Sequence, residues 1–475
     1  MGKKAKRNKG NNVEILQSDV VPLLELKYGA PLFSFAAHPT KPIIASGLAN
    51  GYVFVTQYDP ALLSIFSYDQ KEKLAQLGEN DTKEKKKLKI WKVEEISKDH
   101  EPDQKTIDHL WKTKRHKGSV RSLCFNASGD EIFSVGSDNV IKKAHSETGK
   151  VIKKVEIKNN KSPITKILKS TTHPILVLGD ESGNVRVYDS DTLKEKNFIS
   201  NIHEDSVNSI VQIVHKSAYQ FVSVGSTTLS VWDVRKDKAT VTSENQEDEV
   251  LSVAYVDPAQ GDTIACGMGE GIVTIWKQSK NNLEDQISRV KIAKDESIDS
   301  IISTMNNDDC VWAGASNGII SKINTKKGQV IETRTHSLND EVSFLDLDYE
   351  YRLISAGMDK LKIWNLDDDD DDDEELDGDD FSDSSDEGKD EEEEFTGFSD
   401  EINKISDEEN AWEDVDNDDD EEEKEEKKSG VSRLDLESEP EPEVKQPKSK
   451  KPKLSTKQLN NLQKHQHGIR KFDDL

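Results

Sequence analysis

Phe221-Val222-Ser223-Val224-Gly225, then a short polar turn, then Val231-Trp232-Asp233 and Val234-Arg235: this stretch fixes the local architecture. Apolar residues alternate with small or polar ones, the period of a half-buried strand, and a glycine with turn chemistry joins two such strands tightly. The same middle strand recurs as Ile43-Ile44-Ala45-Ser46-Gly47, Ile132-Phe133-Ser134-Val135-Gly136 and Ile175-Leu176-Val177-Leu178-Gly179. It returns as Thr263-Ile264-Ala265-Cys266-Gly267, Val311-Trp312-Ala313-Gly314 and Leu353-Ile354-Ser355-Ala356-Gly357. Successive glycines stand 89, 43, 46, 42, 47 and 43 residues apart. A repeat of roughly 43 residues built from period-2 strands predicts an all-β fold of seven four-stranded blades arranged radially.

Reading outward, an opening strand precedes each middle strand, as in Val120-Arg121-Ser122-Leu123-Cys124-Phe125 and Val250-Leu251-Ser252-Val253-Ala254. A third strand follows it and ends in Val187-Tyr188-Asp189, Val231-Trp232-Asp233, Ile275-Trp276-Lys277 or Ile363-Trp364-Asn365. These residues resemble the WD-repeat family of β-propellers, although only Trp232-Asp233 reproduces the dipeptide outright. In that family a histidine, a Ser or Thr, an Asp and the Trp form a hydrogen-bonded cluster within a blade. The resemblance assigns that structural role to His336, Ser355, Asp359 and Trp364 in the last unit. His203, Ser223 and Trp232 take it in the fourth, with Thr227 where the acid would sit.

The doubled first interval has two readings, a solvated insertion between the third and fourth strands of the first unit, over about residues 60–115, or an eighth, degraded blade. Only Leu88 to Val93 looks strand-like there, without a preceding glycine turn, which favours the insertion. The last unit stops at Asn365 without a fourth strand, and a propeller must protect its edges. The alternating segment Val20 to Lys27 is expected to supply that strand.

Charge divides the chain further. Residues 366–430 hold 36 acidic and 5 basic side chains, residues 431–475 hold 7 and 10, and residues 1–365 hold 50 of each. The expected organisation is a basic disordered start (1–19), a seven-bladed propeller (20–365), an acidic disordered segment (366–430) and a basic tail (431–475). Self-repulsion and scarce apolar residues leave the acidic segment unable to offset its chain entropy. Phe381, Phe395, Phe398 and Trp412 within it read either as anchors for a basic partner or as the residual aromatics of a linker. Lys448, Lys450, Lys451 and Lys453 read as a nuclear import signal. His467, Arg470, Lys471 and Phe472 read as a C-terminal docking peptide.

Several classes are excluded. No apolar run approaches the ~20 residues of a membrane helix, and Met1 to Gly10 is rich in lysine without an apolar stretch behind it. The chain is therefore expected to be neither secreted nor membrane-spanning. Cys124, Cys266 and Cys310 are too dispersed for a zinc knuckle or a disulfide framework, which fits a reducing compartment. Gly267-Met268-Gly269-Glu270-Gly271 lacks the spacing of a dinucleotide loop and opens no helix. No hydrolase, protease or nucleotide-binding motif is present, so no enzymatic activity, cofactor or metal is expected.

The order of parts, a divergent seven-bladed WD-repeat body, an acidic segment, a lysine-rich patch and a terminal His467-Gly468-Ile469-Arg470-Lys471-Phe472, resembles the WD repeat-containing protein fifty-five family, including its fungal members. That resemblance implies a nucleolar, nuclear scaffold for protein–protein interactions in ribosomal RNA processing and large (60S) ribosomal subunit biogenesis. The partners it implies are 60S assembly factors and basic ribosomal proteins, with RNA contact indirect or weak, for a monomer working within a complex. Two alternatives remain: a histone-binding escort, suggested by the acidic tail, and a substrate receptor of a cullin-RING ubiquitin ligase. The latter rests on Trp232-Asp233-Val234-Arg235, whose Arg235 would meet the ligase adaptor. Top-face protein contacts are expected at the residue after the first apolar position of each opening strand, such as Phe33, Arg121, Asn208 and Asp299.

Overall fold

A computed structural model of the chain describes residues 16–77, 88–97, 105–158, 162–214 and 217–366. Seven sheets, each with an antiparallel four-stranded blade, follow one another around a central channel. The first blade is Leu32–Ala37, Ile43–Leu48, Tyr52–Tyr58 and Ile107–Lys114. Blades two to six occupy 120–156, 164–199, 209–242, 250–291 and 298–335. The seventh is made of Phe344–Leu347, Leu353–Ala356 and Lys360–Trp364, with Pro22–Tyr28 as its fourth strand.

The periodic glycine has a packing cause. A Cβ on Gly47 would lie 2.6 Å from Val120 Cγ1, one on Gly179 2.6 Å from Val207 Cβ, and one on Gly314 2.4 Å from Val342 Cγ1. Each of these glycines thus admits the first apolar residue of the next blade against its own backbone. The tight turn itself belongs to a later glycine. Gly183, for example, has φ +72°, and a side chain there would strike the His203 carbonyl.

Such contacts place the core between blades. Seven apolar clusters each draw on two neighbouring blades, as where Ile43, Val53 and Trp111 of the first meet Val120, Leu123 and Ile132 of the second. Middle strands such as Ile175–Asp180 are buried throughout, while an outermost strand such as Val151–Glu156 is largely exposed.

Ring closure joins sequence-distant segments. Pro22–Tyr28 pairs antiparallel with Lys360–Trp364, burying Leu23, Leu24 and Leu26. Two further strands cover outer edges: Lys92–Ile96 lies parallel to Pro22–Tyr28, and Leu16–Gln17 lies parallel to Gln329–Thr335. Ordered pairing thus begins ahead of residue 20.

The segment expected to be a solvated insertion over 60–115 is corrected in two respects. Its end, Ile107–Lys114, is the fourth strand of the first blade. The described part of the remainder includes helix α1 (Pro60–Gln76) and the strand Lys92–Ile96, both packed on the body. Asp59 caps α1 by accepting the Leu62 amide, Pro60 begins it, and Leu63 and Ile96 are fully buried in the core shared by the seventh and first blades. The acidic segment, the import signal at Lys448, Lys450, Lys451 and Lys453, and the docking peptide at His467, Arg470, Lys471 and Phe472 lie outside the described residues.

Candidate protein-binding face

The channel wall is formed by the opening strand of every blade. In five of the seven, the ladder to the middle strand skips one residue: Phe33, Arg121, Thr165, Leu251 or Asp299. A bulge of this kind leaves one residue unpaired and re-aims its side chain. Asn208 and Ser343 hold the equivalent position immediately before the strands Ser209–Gln212 and Phe344–Leu347. All seven side chains, one per blade, line a single cavity of 180 Å³ at the channel mouth. Below it lies a second space of 220 Å³, with Arg121, Lys166, Asp299 and Phe344 on the walls of both.

Phe33, Arg121, Asn208 and Asp299, selected from sequence, are therefore brought together. Thr165, Leu251 and Ser343 were not named, although the same rule covers them: each follows the first apolar residue of its opening strand, Ile164, Val250 and Val342.

Most polar groups at the mouth are tied into the ring. Arg121 Nη1 lies 3.8 Å from Glu181 Oε1, across the boundary between the second and third blades. Asn208 Nδ2 donates to Glu249 Oε1 at 3.1 Å and to the Val250 carbonyl at 2.9 Å. Thr165 donates to the Val207 carbonyl at 2.6 Å, and Ser343 to Glu341 Oε1 at 3.0 Å. The Lys166 ammonium stands 5.6 Å from the centre of the Phe344 ring, and burial lowers its pKa.

Two acceptor groups are exceptions, Asn208 Oδ1 and the carboxylate of Asp299. Both Asp299 carboxylate oxygens are closed off from solvent and neither accepts a hydrogen bond among the described residues; the Ser297 hydroxyl approaches without hydrogen-bond geometry. Burial, reinforced by the nearby carboxylates of Glu341, Glu249 and Glu296, pushes the Asp299 carboxyl up to about 7.

Arg235 belongs elsewhere. It follows the third strand of its blade, so antiparallel alternation puts it at the end of the blade opposite Asn208. Its guanidinium pairs bidentately with Asp233, Nε–Oδ1 2.8 Å and Nη2–Oδ2 2.6 Å, and lies 4.3 Å from the Tyr219 ring centre. This pairing holds the Asp233 carboxyl below the usual carboxylate range. The Arg235 side chain nevertheless remains 61% exposed.

The blade histidines are structural. In the fourth blade Trp232 Nε1 donates to Ser223 Oγ at 3.0 Å, and Ser223 lies 2.8 Å from His203 Nε2. His203 Nδ1 is 2.8 Å from Thr228 Oγ1, which donates onward to the Gly225 carbonyl. The proton order that satisfies every group is Trp232 to Ser223, Ser223 to His203 Nε2, and His203 Nδ1–H to Thr228, with a neutral imidazole. Thr228, not the expected Thr227, is the partner: Ser226 and Thr227 form the turn, and Thr228 begins the third strand. Thr227 instead donates to Asn245 at 3.3 Å on the exposed side.

In the seventh blade, Ser355 Oγ bridges His336 Nδ1 at 2.8 Å and Trp364 Nε1 at 2.9 Å. The acid expected at Asp359 is Asp340, 3.7 Å from His336 Nε2. Asp359 contributes only backbone, its amide donating to Asp340 Oδ2 as do the amides of its turn neighbours Met358 and Lys360 to the same carboxylate. A third set was missed: His116 Nδ1 lies 2.9 Å from Asp138 Oδ1, and its Nε2 lies 2.9 Å from Ser134 Oγ. Its signal was available, since Ser134 precedes the repeat glycine Gly136 and Asp138 follows it, but no tryptophan ends the third strand Val140–His145.

Among the described residues no group of three or more His, Cys, Asp or Glu side chains is arranged to hold a metal, and no helix is long and apolar enough to cross a membrane.

Seven radial four-stranded blades, with a His–Ser–Trp relay behind Trp232-Asp233, define a WD-repeat β-propeller. Residues 108–307 match the family model of the nucleolar protein 10-like N-terminal domain. The WD repeat-containing protein JIP5 of Vanderwaltozyma polyspora is 47% identical over 387 residues, covering 77% of this chain and 69% of the relative. Those of Kluyveromyces lactis and Debaryomyces hansenii are 42% and 40% identical, each alignment covering the whole of both chains. The chain belongs to the WD repeat-containing protein JIP5 family.

Proposed function

We propose that this protein is a non-enzymatic nucleolar scaffold that holds protein components of the maturing large ribosomal subunit while its ribosomal RNA is processed. The observation that carries the reading is the match of residues 108–307 to a propeller domain named for a nucleolar protein. The order of propeller, acidic segment and basic tail, which resembles the WD repeat-containing protein fifty-five family, supports the ribosomal role. The mouth geometry supports the scaffold role. A rigid ring presents one side chain from each blade to a shared cavity, while the buried histidines are engaged within their blades. Its partners are proteins, 60S assembly factors and basic ribosomal proteins, with RNA contacted indirectly.

The test is sedimentation of the tagged protein from cell extract with sequencing of the co-purifying RNA. Large-subunit precursor RNA in a fast-sedimenting peak is the expected result. A slow peak free of that RNA would overturn the reading. It would favour the ligase-receptor alternative, whose support is the exposed, Asp233-oriented guanidinium of Arg235. In that case Arg235→Ala would abolish capture of the ligase adaptor.

A further inference from the structure

We propose that the channel mouth receives one basic side chain, a lysine or arginine on a loop or peptide of a partner protein, with Asp299 as its counter-ion. This deepens the scaffold reading and rests on it. Leaving a buried carboxylate without hydrogen-bond donors is costly, and such groups are normally paired. Around this cavity the other charged and hydroxyl side chains are engaged, Arg121 with Glu181 and Ser343 with Glu341, and Asn208 donates to Glu249 while its Oδ1 stays without a donor among the described residues. Asp299 lines the same cavity, and both of its oxygens, shielded from solvent in this rotamer, lack a hydrogen-bond donor among the described residues. What it lacks is a multivalent donor carrying positive charge.

Size and charge select among occupants. At 180 Å³ the cavity is smaller than the clefts of about 300 Å³ and more that hold small-molecule ligands, which suits one side chain rather than a cofactor. Phe33, Leu251 and Phe344 supply apolar wall for an alkyl stem, as long cationic side chains use elsewhere. Glu181 and Glu341 join Asp299 on the lining, against Arg121, already paired, and Lys166, held over an aromatic ring. An RNA phosphate entering there would meet these carboxylates, so the mouth favours a basic protein segment over nucleic acid.

The experiment uses the full-length protein and three fluorescein-labelled nonapeptides with neutral Gly/Ser/Leu flanks and a central Arg, Lys or Gln, followed by fluorescence anisotropy. The Arg and Lys peptides are expected to bind at least tenfold more tightly than the Gln peptide. Asp299→Asn, nearly isosteric, is expected to remove that difference while leaving the circular dichroism spectrum and melting temperature at wild-type values or above. For the Arg peptide, affinity should rise between pH 6 and pH 8 as Asp299 ionises among Glu249, Glu296 and Glu341, a rise absent in Asp299→Asn.

Equal binding of the Gln peptide, or undiminished Arg binding by folded Asp299→Asn, overturns the proposal. Discrimination seen only after Arg470→Gln and Lys471→Gln would also overturn it, making the occupant the chain's own end. The scaffold reading fails separately: wild-type protein that discriminates among the peptides yet sediments without precursor RNA would refute that reading and leave the pocket standing.

Discussion

Ser223 is the point at which the fourth blade's two marked side chains meet, accepting from Trp232 and donating to His203, with all three fully or nearly fully buried. Ser223→Ala strips a partner from both rings without opening a path for water. At about 1–3 kcal/mol for each buried polar group left unsatisfied, the expected loss is about 3 kcal/mol, read as a lowered urea midpoint. The same relay sets a pH dependence. Burial drops the His203 pKa to about 4, against about 6.5 in the unfolded chain. Between those values the unfolded state binds the proton and the native state does not, so stability rises with pH across the window. His203 therefore contributes fully above pH 6.5, loses about 3 kcal/mol as pH falls to 4, and changes little below that. Comparing urea midpoints of wild type and His203→Gln at pH 7.5, 5.5 and 4 isolates it, and the gap between the two proteins should narrow as pH falls. Histidine and serine were legible from their offsets to the repeat glycine and tryptophan. Their third partners were not, because a one-residue turn register decides Thr228 over Thr227, and Asp340 comes from the loop before the opening strand.

At the scale of elements, the segment between the third and fourth strands of the first blade shows how a polar stretch becomes structural. The strand Pro22–Tyr28 carries Glu25, only 4% exposed, and Trp91 Nε1 donates to its Oε2 at 2.9 Å while Lys89 lies 3.5 Å from Oε1. Burial pushes the Glu25 carboxyl up, but the Trp91 hydrogen bond and the charges of Lys89, Lys362 and Lys27 outweigh it and hold the group below its usual range. The strand Lys92–Ile96 is docked beside it by the parallel ladder and by buried Ile96. Trp91→Phe keeps the ring and removes the donor, so it should cost about 2 kcal/mol in urea unfolding, the scale of a hydrogen bond to a charged group. In a double-mutant cycle with Glu25→Gln the two losses should fall short of additivity by at least about 1 kcal/mol. Part of this was readable: Asp59-Pro60 is a helix-start signal that announces α1. The strand was harder, because Lys92–Ile96 is short and charged and its partner lies about 70 residues upstream in a parallel pairing no local period reveals.

Across the whole molecule, the period in the sequence fixes the number of blades, but the cohesion lies between them. Each of the seven apolar clusters belongs to two blades, so no blade owns a core and every one depends on both neighbours. The seven mouth residues obey the same logic: each could be picked from its place in the repeat, but which are paired and which is left open emerges only when the ring closes. Closure is consequently the global vulnerability. Leu24 is fully buried in the strand that pairs the chain's beginning with Lys360–Trp364, in the cluster joining the seventh blade to the first. Leu24→Ala should cost about 2–5 kcal/mol, the range for truncating a buried leucine. Because opening that junction frees an edge strand, the variant should also form soluble aggregates on mild heating. Removing Leu16 and Gln17, whose two-residue pairing with Gln329–Thr335 covers an already complete blade, should lower stability by under about 1 kcal/mol and leave the protein monomeric. Urea midpoints and size-exclusion profiles after incubation decide between the two: equal effects from both variants would mean that the outer strand, rather than the Pro22–Tyr28 junction, governs closure.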